Sequence, residues 1–390
     1  MSASAPAPPS PAPPLLGPPL PPLHYTARSP WRWVFASLLP APHVLRASSR
    51  SLPGNAGYAH NRQPATLSFT SGTPPSLASG EPALRAMCSS ALLFPVDSKD
   101  LLVSTLSACC RRAGVPLSSV IPESILLPHD CAQVPALPSA PSVLKLPLGS
   151  CGDGVFFVSS RAAVAELLAS NLANVKAAGP DLLASLPRRA TPPSLVLQAE
   201  VPPHPHKRRF SLRAHVLLRS LPGGYRAWRH ARTEVRLAAR EHGGGGGRDR
   251  DAHITNGAGG KDTERTLLAE VPELARYEGA VAAFVGALFG RVLPFGLEER
   301  GGVEGGELRY ALAGVDLMLD DVGRVVLLEV NSNPACAPRE VVSGAFEEHL
   351  LGFGGDLLRK MAGPEEENPN WKEIEVVPPP QADDVEGTSP

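Results

Sequence analysis

Two apolar segments late in the chain, "YALAGVDLML" and "RVVLLEVN", flank "DDVG". Asp and Gly are turn residues, so the pair reads as a β-hairpin. Val325 to Leu328 is an unbroken apolar run, the signature of a strand covered on both faces, yet Glu329 and Asn331 follow at once. With Asp321 to Arg324 as a four-residue loop, Asp320 pairs with Val325 and Asp316 lies opposite Glu329. Asn331 shares their face, because strand side chains repeat with period two. Opposed residues hold their Cβ atoms about 4.5 to 5.5 Å apart, so two carboxylates and an amide converge. A carboxylate in such a setting needs compensation. An ion pair with a nearby Arg, a strand end emerging into water, or a hard divalent cation held by three oxygen-bearing side chains would each supply it.

The rest of the chain fits an α+β protein. "KDLLVSTLSACCRRAG" and "LARYEGAVAAFVGALFGRV" have helical spacing, and "RAAVAELLASNLANVKAAG" is a further helix closed by Gly179. "SVLKLPL", "SLVLQAEV" and "FSLRAHVLLRS" read as strands, and "GGYRAWRHARTEVRLAAR" adds another after a glycine turn. Strands and helices follow no regular βαβ alternation.

Residues 1 to 85 are Pro-, Ser- and Ala-rich, carry no acid before Glu81 and show no sustained period, so disorder is expected, with an organelle transit peptide as the alternative. Residues 363–390 carry eight acids against Lys372 and read as a solvated tail. Between them, residues 86–140 precede a core expected over 141–362. The longest apolar run, Val281 to Leu293, is broken by Gly286, Gly290 and Arg291 and is short for a bilayer, so no membrane is expected. Six Cys without a CxxC pair read as reduced thiols of a cytoplasmic protein, with nothing to demand an oligomer. His204, His206, His215 and His230 match no common ligand spacing and are read as ordinary polar residues.

Charge is uneven although the net value is −1. From His204 to Arg240 ten Lys and Arg face one acid, Glu234, which suggests a basic surface or a phosphate site. No aromatic platform accompanies them, so nucleic acid is not the expected partner. In "KLPLGSCGDGV", Lys145 precedes Gly149, Gly152 and Gly154, where backbone N–H groups approach phosphate oxygens closely. The spacing is neither that of a P-loop nor of a dinucleotide fingerprint, because this turn joins two strands. Arg209, Arg213, Arg229 and Arg236 follow on strands and would hold phosphate charge.

The lysine of that glycine loop, "RRFSLR", "HITN" with Lys261 eight residues after its His, and "GVDLMLDD" with "LLEVNSNPAC" stand in one order. That order and spacing resemble the tubulin tyrosine ligase family, over roughly Lys99 to Glu340. The resemblance implies an ATP-grasp fold, with two α+β lobes holding ATP between them. It implies a ligase joining a free amino acid to a tubulin tail or another acidic protein tail on the cytoskeleton. It also implies that Lys145 and the glycines contact ATP phosphates, that Gln198 lies beside adenine, and that Arg213 and Arg236 hold the γ-phosphate and acyl phosphate. His253, Thr255, Asn256 and Lys261 would line the ribose and substrate side, with Arg209 in the nucleotide site. Asp316, Glu329 and Asn331 match the Mg²⁺ or Mn²⁺ ligands. Four positions depart from the family pattern: Leu146 replaces a Pro, Ser211 an Asp, Glu200 an aromatic and Arg209 a Lys. A non-catalytic nucleotide- or tubulin-binding relative is the second implied reading.

Overall fold

The computed structural model describes residues 92–127, 136–137, 141–147, 154–168, 194–241, 255, 264–297, 308–332, 334 and 344–377, together with four short strands before them. Those strands are β1 (His24–Ala27), β2 (Val44–Leu45), β3 (Leu67–Phe69) and β4 (Ala86–Cys88). Next come helix α1 (Lys99–Ala113) and strands β5 (Ser124–Leu127), β6 (Ser142–Lys145), β7 (Val155–Val158) and β8 (Leu195–Ala199). The chain continues through β9 (Arg208–Leu221), β10 (Gly224–His230), β11 (Glu234–Glu241), β12 (Glu264–Leu267) and α2 (Glu278–Ala287). It ends with β13 (Leu308–Leu319), β14 (Val325–Asn331), α3 (Gly344–Ala362) and β15 (Trp371–Ile374).

The result is an α+β protein with two largely antiparallel sheets. The small sheet has the order β5-β8-β6-β7 and packs Leu127, Leu144, Val158, Leu195 and Leu197 against Val164 and Leu168 of a helix over residues 161–168. The expected continuation of that helix towards Gly179 lies outside the described residues. In the large sheet β9 pairs with β10 and β11 along one edge and with β13 along the other. Alternation along β9 divides the molecule. Phe210, Leu212, Ala214, Val216 and Leu218 join the main core with α1 and α2, whereas Arg209, Ser211, Arg213 and His215 take the opposite face.

Local sequence explains why the flanking elements sit where they do. Helix α1 begins with Asp100 in its first turn and ends with Arg111 and Arg112, charges that complement the helix dipole. Gly114, at φ 67°, takes the left-handed conformation that closes it. Asp100 is buried and accepts hydrogen bonds from Ser98 Oγ at 2.9 Å and Ser194 N at 2.9 Å, which ties the helix to the start of β8.

On four points the structure differs from the expectations or adds to them. First, the hairpin turn spans Asp320 to Arg324, so Leu319 rather than Asp320 pairs with Val325. Asp320 Oδ1 accepts from Arg324 N at 2.7 Å and from Val322 N at 3.2 Å, and this side-chain turn takes Asp320 out of the ladder. Second, within residues 1–85, where disorder was expected, β1 to β3 are extended and pair in parallel, and β3 pairs with β4, which lies alongside β13; the other residues of 1–85 lie outside the described residues. Third, α2 runs on through a π-helical turn (Leu288–Val292) and a 3₁₀ turn (Leu293–Phe295), so Glu278–Phe295 is 18 residues long and meets the length and composition of a membrane span. Val281, Val285, Leu288, Phe289 and Val292 of this segment pack into the main core.

Fourth, the acidic tail is structured as far as residue 377. β15 pairs with β10, and Trp371 is 3% exposed beside His230 and Phe353. The charge count misled because two apolar residues, Trp371 and Ile374, anchor the segment. Trp371→Ala should lower stability by about 3 to 5 kcal/mol in chemical denaturation, the cost of a large truncation in a packed core; a loss under about 1 kcal/mol would show a loosely held tail.

Candidate functional site

The polar face of the large sheet carries its charges in rows. Across four strands, Glu234 of β11, Arg213 of β9, Asp316 of β13 and Glu329 of β14 stand in register. The adjoining row holds Arg265 of β12, Arg236 of β11 and Ser211 of β9. On the other side, His215, Gly314 and Asn331 form a third. Period-two alternation puts all three rows on one face.

Arg213 grips Asp316 with two parallel hydrogen bonds, Nε to Oδ1 at 2.6 Å and Nη2 to Oδ2 at 2.5 Å. This planar fork is the strong form of the interaction. Both side chains are buried. Burial alone would raise the Asp316 pKa, but the charge and hydrogen bonds of Arg213 outweigh it and hold the carboxyl below its ordinary value. Asn331 Nδ2 reaches Asp316 Oδ2 at 3.1 Å and Glu329 Oε1 at 3.3 Å, so the three side chains proposed from sequence do meet.

Their convergence survives the misplaced turn because β14 carries a bulge. Leu317 pairs with Leu327 but Asp316 pairs with Glu329, leaving Leu328 as the extra residue. That one residue restores the pairing expected at the site. Glu329 is compensated by a residue sequence reading missed, Lys99 at the start of α1, whose Nζ lies 3.2 Å from Glu329 Oε2. Nothing in "KDLL" marks Lys99 as different from any other helix-start lysine.

Lys145 approaches from the small sheet and donates to Gln198 Oε1 at 2.6 Å, while Gln198 Nε2 donates to Ser124 Oγ at 2.8 Å. Burial, opposed by Glu329 and reinforced by Lys99, brings the Lys145 pKa down to about 8. Burial and the nearby Arg213 bring Arg236 down to about 10. Glu234 is buried between Arg265 at 2.9 Å and Arg236 at 3.7 Å, and despite burial these cations hold its pKa far below the ordinary range. It was legible as the one acid of the basic stretch, but its role was not read. Among the described residues, Lys99, Lys145, Arg213, Arg236 and Arg265 face three carboxylates, Glu234, Asp316 and Glu329. The site therefore carries net positive charge, and two of its cations lose protons more readily than usual because no anion offsets their burial fully.

The departures from the family pattern have partners of their own. Arg209 is ion-paired with Glu200, and Thr255 Oγ1 donates to Ser211 Oγ at 2.7 Å. Gly154 adopts φ 73°, and a Cβ there would lie 2.8 Å from Leu146, so glycine is required beside the Leu that follows Lys145. Gly149, Gly152, His253, Asn256 and Lys261 lie outside the described residues. The basic stretch is largely compensated within the chain: Arg208 by Glu264, Arg219 and Arg226 by Glu365, and Arg229 by Glu278. His204 and His206 pack edge-on against Phe210, and His230 edge-on and His215 at a tilt against Phe353, in keeping with ordinary polar and packing roles.

Among the described residues no group of three or more His, Cys, Asp and Glu gathers as a metal site. The set here is two carboxylates and an amide. Its oxygen chemistry suits a hard divalent cation, and a half-turn of the Asn331 amide would present Oδ1 in place of Nδ2. No family model matches the chain, and no curated protein does either.

Arg213→Gln should destabilise the protein by about 3 to 5 kcal/mol, because Asp316 is left buried without its cation. Arg213→Gln combined with Asp316→Asn should recover a substantial part of that loss, as read by denaturation and a double-mutant cycle.

Proposed function

We propose that the chain has an ATP-grasp fold and is an ATP-dependent carboxylate–amine ligase acting on an acidic protein tail, with tubulin as the favoured substrate. The observation that carries this reading is the net positive site beside paired Asp316 and Glu329, approached by Lys145 from the second sheet. Tyrosine is favoured as the amino acid added, because "EVNSNPAC" is most similar to the tyrosine ligase branch; glutamate and glycine additions share the same chemistry.

A carboxylate acylates poorly, so its oxygen first takes the γ-phosphoryl group of ATP, releasing ADP. The amine of the second substrate then attacks the acyl carbon, phosphate leaves, the amine loses a proton and an amide remains. Lys145, Arg213 and Arg236 are the groups that would hold the phosphoryl charge, with Gln198 and Thr255 towards the nucleoside. Asp316, Glu329 and Asn331 would hold Mg²⁺ or Mn²⁺, which screens phosphate charge when bound. Lys99 and Arg213 keep the two carboxylates compensated without it.

A second reading, a nucleotide- or tubulin-binding relative that does not turn over, draws on two contacts. Arg213 commits both of its forked donors to Asp316, and Glu200 is tied to Arg209.

Incubation with tubulin, Mg-ATP and single amino acids, read by mass spectrometry of the tubulin tails, separates the two readings. Tails extended by tyrosine are expected; unmodified tails with every amino acid, alongside retained nucleotide binding, favour the second. Glu329→Gln should abolish incorporation while leaving the folded fraction unchanged, and retained activity would overturn the metal-ligand assignment. Nucleotide affinity should weaken as pH rises through about 8, where Lys145 loses its charge; a flat profile from pH about 7 to 9 would remove Lys145 from the phosphate site.

A further inference from the structure

The chain's own acidic segment marks a surface well away from the candidate site. Arg219 of β9 and Arg226 of β10 are register partners, and Arg219 lies six residues beyond Arg213, about 20 Å along the strand. Glu365 accepts hydrogen bonds from Arg219 Nη1 at 2.9 Å and Arg226 Nη1 at 2.7 Å, and Arg226 Nε donates to Glu373 at 3.0 Å. Arg226 also covers the Trp228 ring at 5.0 Å, and the Lys360 ammonium lies 5.0 Å from that ring. Beside this patch is a cleft of about 630 Å³, walled by Leu221, Pro222, Tyr225, Pro294, Ile374 and Val376, which Arg226 and Glu373 also line. Its volume falls within the range of ligand sites.

The segment is attached in two unequal ways. Trp371 and Ile374 are buried and hold β15 in the sheet. The Glu365 carboxylate is 68% exposed, and solvated ion pairs of this kind contribute little each, so they exchange readily with a competing carboxylate.

We propose that Arg219, Arg226 and the adjoining cleft dock an acidic peptide segment of a partner protein that carries one large apolar side chain, and that Glu365 competes for the same guanidinium groups. Carboxylates of the partner replace Glu365 on the two arginine forks, which suit that planar geometry. The apolar side chain enters the cleft. β15 stays in place throughout. This inference rests on the acidic partner of the reading above, but docking is measured without nucleotide or amino acid, so it and the ligase chemistry fail separately.

The test is fluorescence anisotropy of the full chain with a labelled oligoglutamate peptide ending in one phenylalanine. Glu365→Gln should tighten binding at least about threefold by removing the competitor. Arg219→Gln with Arg226→Gln should weaken it at least about tenfold, and added salt should weaken it in the wild type. Omitting the phenylalanine should also weaken it. Hydrogen exchange supplies a readout that needs no variant: peptide should accelerate exchange around Glu365 and leave Trp371–Ile374 unchanged. No binding by the wild type, no tightening in Glu365→Gln, or unaltered exchange around Glu365 would each overturn the proposal; equal affinity without the phenylalanine would remove the cleft from it.

Discussion

Everything on the polar face of the large sheet depends on one buried ion pair, Arg213 with Asp316. Each partner alone would be prohibitive in a sheet packed on both faces. Together they pair two of the guanidinium's N–H donors with both carboxylate oxygens, and they are register partners on adjacent strands. The pair thus fixes β9 against β13 where a slip by one residue would turn every side chain to the wrong face. Glu234 on one side and Glu329 on the other extend the row, so a single interaction organises charges from four strands.

The sequence made the carboxylate convergence readable for a reason that does not generalise to the whole site. Period two along a strand is geometrically strict, so Asp316, Glu329 and Asn331 had to share a face once the hairpin was accepted. Lys99 obeyed no such rule. It arrives from a helix more than two hundred residues earlier, and long-range packing leaves no local signature. The turn was misjudged because an Asp side chain can replace a backbone partner, as Asp320 does. The tail was misjudged because composition averages over a segment in which two apolar residues decide the outcome.

The basic stretch illustrates how charge counts mislead in another way. Ten cations against one acid within 204–240 suggested an open positive surface, yet acids from distant segments, Glu264, Glu278, Asp316 and Glu365, come to meet them. Two of the positions that depart from the tubulin tyrosine ligase pattern, Arg209 and Glu200, meet each other. A local excess of one sign is a statement about sequence neighbours, while compensation happens between spatial ones. What distinguishes the candidate site is that, among the described residues, Lys99, Lys145, Arg213, Arg236 and Arg265 outnumber Glu234, Asp316 and Glu329 after folding.

The bulge at Leu328 has a further consequence for how this hairpin can change over time. Asp316 is positioned by β9 on its far side, independently of the turn that joins it to β14. The surplus residue lies between that turn and Glu329, so the two ends of the hairpin keep separate registers. A change of length within residues 320–324 is thereby taken up at the bulge while the polar cluster stays aligned, whereas exchange of Asp320 or of Gly323, at φ 81°, disturbs the turn alone.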